Sequence, residues 1–238
     1  MNSGGGPLLS VRAEARQLVP PDYAVLDGLI EHTAGSKVEA VRSVTGSLDR
    51  LTADLAALGA VPFDEGAGRR PLTWSAHSSA TREELYHDKE TMRMERSGRV
   101  TATVALRVTV RDLDALDDLS GVLAAHPGLN VHGVTWHVDW DNPAWPQVRA
   151  AAIGAAIRKA RDYATALGAT VRQVEHIADA GLLGGDTAPY HPVHAMAARA
   201  YSGSGDQPGT PALTPVPQEL IATIEARFRT TDVSLPST

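Results

Sequence analysis

Apolar residues in this chain keep two different beats, three-to-four in some stretches and two in others, and capping or turn residues mark where one gives way to the other. The clearest helical stretch opens at Ser36 and Glu39, the S-x-x-E spacing of a capping box. Val38, Val41, Val44, Leu48, Leu51, Leu55 and Leu58 then draw one stripe, and Gly59 supplies a left-handed stop. In contrast, Val100–Val110 alternates with a period of two, placing Val100, Ala102, Val104, Leu106, Val108 and Val110 on one face of a strand. A chain that switches between these periods must pack helices on a sheet.

The same reading extends along the chain. Val11–Val19 and Tyr23–His32, separated by Pro20-Pro21-Asp22, predict an opening β-hairpin. Thr73–Ser79 is extended, with Trp74 and Ala76 on one face. Asp112 caps a second helix carrying Leu113, Leu116, Leu119 and Leu123, which ends at His126-Pro127-Gly128. Leu129–Trp140 follows as a strand with His132, Val134, Trp136, Val138 and Trp140 on its apolar face. Asn142-Pro143 starts a third helix whose Ile153, Ile157, Ala160, Ala164 and Leu167 stripe is expected to face a sheet. Thr170–Asp179 and Leu220–Thr230 are the last two strands, the latter with Leu220, Ala222, Ile224, Ala226 and Phe228 inward. The order ββαββαβαββ defines an α+β fold with a mixed or antiparallel sheet, and no glycine-rich phosphate loop links a strand to a helix. One domain is expected over 11–230, with a division into about 11–80 and 99–230 left open, and loose tails at 1–10 and 231–238.

Two segments resist this reading. Residues 81–98 are dense in charge, and Thr81 with Glu84 repeats the capping-box spacing, so a solvated helix and a long hairpin both fit. Residues 181–217 hold 6 of the 15 prolines together with several glycines, which predicts a turn-rich loop.

Composition narrows the chemistry. The chain has no cysteine, which excludes disulfide frameworks, Cys-ligated zinc, iron–sulfur clusters and thiol nucleophiles. A net charge of −6 without a Lys/Arg block argues against a nucleic-acid partner. No apolar run approaches a membrane span, and Met1–Leu9 lacks a signal-peptide pattern, so the cytoplasm is the expected compartment.

Four groups of residues could carry chemistry. His137, Asp139 and Asp141 alternate along one strand face, which suits either a His/carboxylate metal site or a solvent-exposed face leading into a helix cap. His191 and His194 flank Pro192, which disfavours the helix that an i, i+3 metal chelate needs, and incidental loop histidines are the other reading. Trp136, Trp140 and Trp145 form either a ligand cage or core and helix-end packing. The 81–98 segment is either a solvated face or a partner-docking surface. No G-x-S-x-G elbow is present, and no cofactor is implied.

Several phrases together resemble a known family. They are the opening VRAEARQLVPPDYAVL, the helix end LTADLAALGA, the unit VTATVALRVTVRDLDALDDLSGVL, and the long run from Val131 to Leu182. They are similar to the SIMPL-domain family, the domain of unknown function 541, over about Val11 to Thr230. Ala156-Ile157-Arg158-Lys159-Ala160-Arg161, Tyr163-Ala164 with Leu167-Gly168, and Val110-Arg111-Asp112-Leu113 carry the likeness most specifically. These are packing and capping signatures, so the resemblance implies a fold and an oligomer, and brings no catalytic residues. It implies association with bacterial oxidative-stress defence, a surface antigen and, in animals, a signalling adaptor, with many relatives exported. The expectation is therefore a non-enzymatic, homo-oligomeric scaffold in which sheet edges or strand faces complete one another between subunits. A small-ligand or metal-binding protein built on His137/Asp139/Asp141 or the tryptophans, and an adaptor using 81–98, are the alternatives.

Overall fold

In the computed structural model, residues 6–64, 68–88, 93–183 and 213–233 are described. They form eight strands and three α-helices: β1 Leu8–Val19, β2 Tyr23–Ala34, α1 Lys37–Ala57, β3 Val61–Pro62, β4 Leu72–Asp88, β5 Arg93–Val110, α2 Leu116–Ala125, β6 Leu129–His137, α3 Trp145–Ala166, β7 Val171–Asp179 and β8 Gln218–Thr230. The α+β class holds, but the strands form two sheets, of order β1-β8-β7 and β3-β4-β5-β2-β6. All pairings are antiparallel except the two-residue β3 on β4.

The chain divides into two units. Described residues within Met1–Pro20, Val138–Met196 and Pro217–Thr238 make the first, and those within Pro21–His137 and Ala197–Val216 make the second. The opening hairpin is therefore not formed. β1 pairs along its whole length with β8, Val11 opposite Ala226, while β2 pairs with β5 and β6 in the other sheet. The physical reason lies in Pro20-Pro21. Tight hairpin turns need positive φ at their central residues, and proline holds φ near −65°. A Pro-Pro pair thus lets the chain leave one sheet for another, where Asp22 N–H donates to the His137 carbonyl at 2.8 Å.

In the first unit, α3 lies across β1 and β8. β8 alternates along its full length, with Leu220, Ala222, Ile224, Ala226 and Phe228 buried, as its pattern predicts. The helix presents a stripe that shares Ala160 and Ala164 with the expected one but not its isoleucines. Val148, Ala152, Ala156, Ala160 and Ala164 are buried at strict four-residue spacing, whereas Ile153 is 37% exposed and Ile157 packs only partly against the core. Alanine's small side chain lets the helix axis approach the sheet, which is what the larger isoleucines would prevent. The helix also starts later than Asn142-Pro143 suggests. Asn142 Oδ1 instead accepts from Ala144 N–H at 2.9 Å, a turn that delivers the chain to Trp145.

In the second unit, α1 packs over β2 and β5, and α2 beside β6, on one face of the five-stranded sheet. Ser36 Oγ accepts from Glu39 N–H at 3.3 Å, so the predicted N-cap is realised, and Gly59 takes φ 83° at the other end. Val44, Leu51 and Leu55 of the expected stripe are buried, but Val38 and Val41 are 69% and 42% exposed, because the face turned to the core runs through Ala40, Val44, Ser47, Leu51 and Leu55. Asp112 caps a 3₁₀ turn at Leu113–Ala115 that runs into α2, accepting from Asp114 N–H at 3.3 Å. His126 then closes on α1, its Nε2 lying 2.8 Å from Asp54 Oδ2.

The charged segment is the distal half of the β4–β5 hairpin and contains no helix in its described residues: Leu85 pairs with Arg96, and His87 with Met94. β6 ends at His137, so Asp139 and Trp140 lie beyond the strand expected to include them.

Candidate functional site

Cross-strand registry on β5, β2 and β6 assembles the most ordered polar constellation in the second unit. Tyr23, Val25 and Asp27 share the face of β2 turned away from α1. Asp27 lies opposite Arg107, whose Nε and Nη2 donate to its two carboxylate oxygens at 2.7 and 3.2 Å. At the strand's start, Tyr23 lies opposite His137, and the two rings stack with centroids 4.8 Å apart and planes 14° from parallel. From the β5 side, Arg111 places its guanidinium carbon 4.5 Å from the Tyr23 ring centre while Nε donates to the Gly68 carbonyl at 2.9 Å. Burial, reinforced by the nearby Arg107 cation, pushes the His137 pKa below its ordinary value. The imidazole is thereby kept neutral and held flat against a phenol, an arrangement that positions rings.

Asp139 and Asp141 lie beyond the end of β6, which stops at His137. They follow His137 into the first unit, where the Asp139 backbone carbonyl accepts from Trp145 Nε1 at 3.0 Å and Asp141 is exposed. Among the described residues no group of three or more His, Asp or Glu side chains converges as a metal site. His191 and His194 lie outside the described residues.

The tryptophans are divided in the same way. Trp136 is 2% exposed in the core of the second unit. Trp145 packs at the edge of the first unit's core beneath the Arg149 guanidinium, and Trp140 is 80% exposed.

On the first unit the face of the β1-β8-β7 sheet opposite α3 carries a ladder of ion pairs. Arg12 Nε donates to Glu225 Oε1 at 3.1 Å, Arg16 Nη1 to Glu219 Oε2 at 3.3 Å, and Arg229 Nε and Nη2 to the Glu175 carboxylate at 2.6 and 2.9 Å. The Arg229 and Arg12 guanidiniums hold the Glu175 and Glu225 carboxyls below the usual carboxylate range. Leu183 N–H also donates to Glu225 Oε2 at 3.3 Å, and Arg227 Nη2 to the Leu183 carbonyl at 2.7 Å, tying the chain after β7 onto this face.

Sequence reasoning missed the Arg107–Asp27 and Arg111–Tyr23 contacts because registry between distant strands decides them. The one available signal was the inverse charge at two alternating strand positions.

Two antiparallel-dominated sheets, each covered on one face by helix, place the protein among α+β folds. The SIMPL family, described as proteins of unknown function (DUF541), matches residues 9–228, and the chain belongs to that family. No curated protein matches the chain.

Proposed function

We propose that this protein is a non-enzymatic SIMPL-domain scaffold that works as a homo-oligomer, with the β4–β5 arm as the contact between copies. The observation that carries this reading is the state of the arm. Every described side chain at 82–87 and 93–99 is exposed, and Leu85 and Met94, which share one ribbon face, are 53% and 59% exposed. A two-stranded ribbon is marginal in water, and among the described residues β4 has no strand on its outer edge beyond its two-residue pairing with β3.

A second copy suits this surface better than a strongly charged partner does. Between 82 and 99 the chain has five acidic residues (Glu83, Glu84, Asp88, Glu90, Glu95) and five basic ones (Arg82, Lys89, Arg93, Arg96, Arg99), on a chain of net charge −6. Two arms therefore approach without the repulsion the rest of the surface would impose. Val41, 42% exposed on α1, shares a groove with Ser79, Ala80 and Thr81 at the arm's base and extends the apolar area. Light scattering of the full chain at micromolar concentration is expected to give an integral multiple of the monomer mass. The double variant Leu85→Glu with Met94→Glu, both at exposed positions, is expected to give monomer with unchanged circular dichroism. A wild-type monomer refutes the reading, and an undiminished oligomer in the variant refutes the arm's part in it.

A further inference from the structure

In the three-stranded sheet β1 lies at an edge, and among the described residues no strand pairs with its outer side. Thr230 N–H donates to the Pro7 carbonyl, and the ladder with β8 then runs from Leu8 to Val19 without a register shift. Antiparallel pairing therefore turns the backbone groups of the odd-numbered residues toward β8, and those of Leu8, Ser10, Arg12, Glu14, Arg16 and Leu18 toward the outer edge. The Arg12 carbonyl bears this out, since it accepts from Lys159 Nζ of α3 at 3.2 Å. Proteins commonly blunt exposed edges with bulges. β7, at the sheet's other edge, shifts register at Val171/Gln173 and again at Val174/His176, whereas β1 does not.

The outward residues of β1 are complementary to their own sequence read backwards. With Ala13 on a two-fold axis, antiparallel strands place Arg12 of each copy opposite Glu14 of the other, Ser10 opposite Arg16, and Leu8 opposite Leu18. Each of these pairs meets through outward backbone groups, and the two leucines, 40% and 69% exposed in the single chain, cover one another. Moving the axis to Arg12 or to Glu14 sets that residue against itself, and like charges directly opposite are destabilising.

We infer that the outer edge of β1 pairs antiparallel with β1 of a second copy about a two-fold axis at Ala13, joining two three-stranded sheets into one. The axis stands perpendicular to the sheet, so both copies keep α3 on the same face, where Ala13 meets Ala13 between Val11 and Ala15. Lys159, a flexible side chain, yields the Arg12 carbonyl to the Glu14 N–H of the other copy. A seam one strand wide is smaller than a standard interface, so on its own it closes at hundreds of micromolar concentration. It is separate from the arm contact and does not rest on it.

The test is made in the Leu85→Glu, Met94→Glu background, where the arm does not contribute. Sedimentation equilibrium is expected to show monomer at micromolar and dimer at several hundred micromolar concentration. Because the chain has no cysteine, Ala13→Cys reports the register by itself. Facing Cα atoms in a non-hydrogen-bonded pair lie about 4.5 Å apart, within disulfide reach, whereas two Ala15 positions lie more than about 13 Å apart. Under mild oxidation at the higher concentration Ala13→Cys should give a disulfide-linked dimer and Ala15→Cys should not. Glu14→Arg and Arg12→Glu, both at exposed positions, should each weaken association about tenfold and recover it when the two are mixed. A monomer at every concentration, cross-linking of Ala15→Cys as readily as Ala13→Cys, or a mixture no tighter than its components each overturns the pairing. Failure of the arm reading shows instead as a wild type that is monomeric at micromolar concentration, which leaves these outcomes unchanged.

Discussion

Replacing Ala156 by leucine places three additional carbons where the structure leaves no room. Ala152, Ala156 and Ala160 are all at 0% exposure against β1 and β8, so no neighbouring turn offers an exit for the larger side chain. Overpacking of this kind costs about 1–3 kcal/mol, and the closed surroundings put Ala156→Leu at the upper end. Ile153→Ala removes three carbons that are about two-thirds buried, and at about 0.8 kcal/mol per buried carbon it costs about 1.5 kcal/mol. Ala151→Leu, on the exposed side of the same helix, stays within about 0.5 kcal/mol of wild type. Urea titration followed by far-ultraviolet circular dichroism should rank the three in that order, and thermal midpoints should move by about 2–4 °C per kcal/mol. If Ile153→Ala is costlier than Ala156→Leu, the helix faces the sheet through its isoleucines and the alanine contact described above is wrong.

His137 gives a pH dependence of definite sign. Its folded pKa lies below the unfolded value of about 6.5, so the unfolded chain takes up the proton first, and the contribution to stability, complete above that value, falls as pH drops toward the folded one. His137→Gln should flatten stability against pH in this window, and an unchanged slope between pH 7 and 5 would exclude the assignment. Gly128 has φ 80°, and a Cβ there would lie 2.8 Å from the Glu31 carbonyl oxygen, whereas at Gly59, φ 83°, it would meet nothing within 4 Å. Both Gly→Ala changes incur the left-handed backbone penalty of about 1–2 kcal/mol, but Gly128→Ala should be costlier by denaturant titration, and equal costs would refute the close approach.

Elements whose cause is local were readable in the sequence. Ser36, Gly59 and Asp112 mark their helix ends by side-chain capping or positive φ, and β5 and β8 show their buried faces through an uninterrupted period of two. What depended on partners was not readable. Val11 finds Ala226 across more than two hundred residues, and nothing in Val11–Val19 distinguishes that strand from Tyr23. On α3, both stripes are apolar and differ by roughly 60° around the axis, a choice that depends on how closely the sheet can approach. The candidate site shows the same division. Asp139 and Asp141 alternate with His137 in sequence, but the strand ends at His137, and within its unit His137 has Tyr23 of β2 stacked on it and Arg107 of β5 nearby.

The central place of β8 sets an order of events during synthesis. Among the described residues both β1 and β7 have β8 as their only ladder partner, so this three-stranded sheet has no backbone pairing until residues 218–230 have been made. The five-stranded sheet draws on Leu29, Val108 and Val134 and their neighbours, all encoded before His137, and can close while the rest is still emerging. At about 5–20 residues per second, β1 then waits several seconds as an unpaired strand beside a finished neighbour. Its alternating charges Arg12, Glu14 and Arg16 make it soluble during that wait, and Arg12 and Arg16 are put to a second use when they pair with Glu225 and Glu219 of β8.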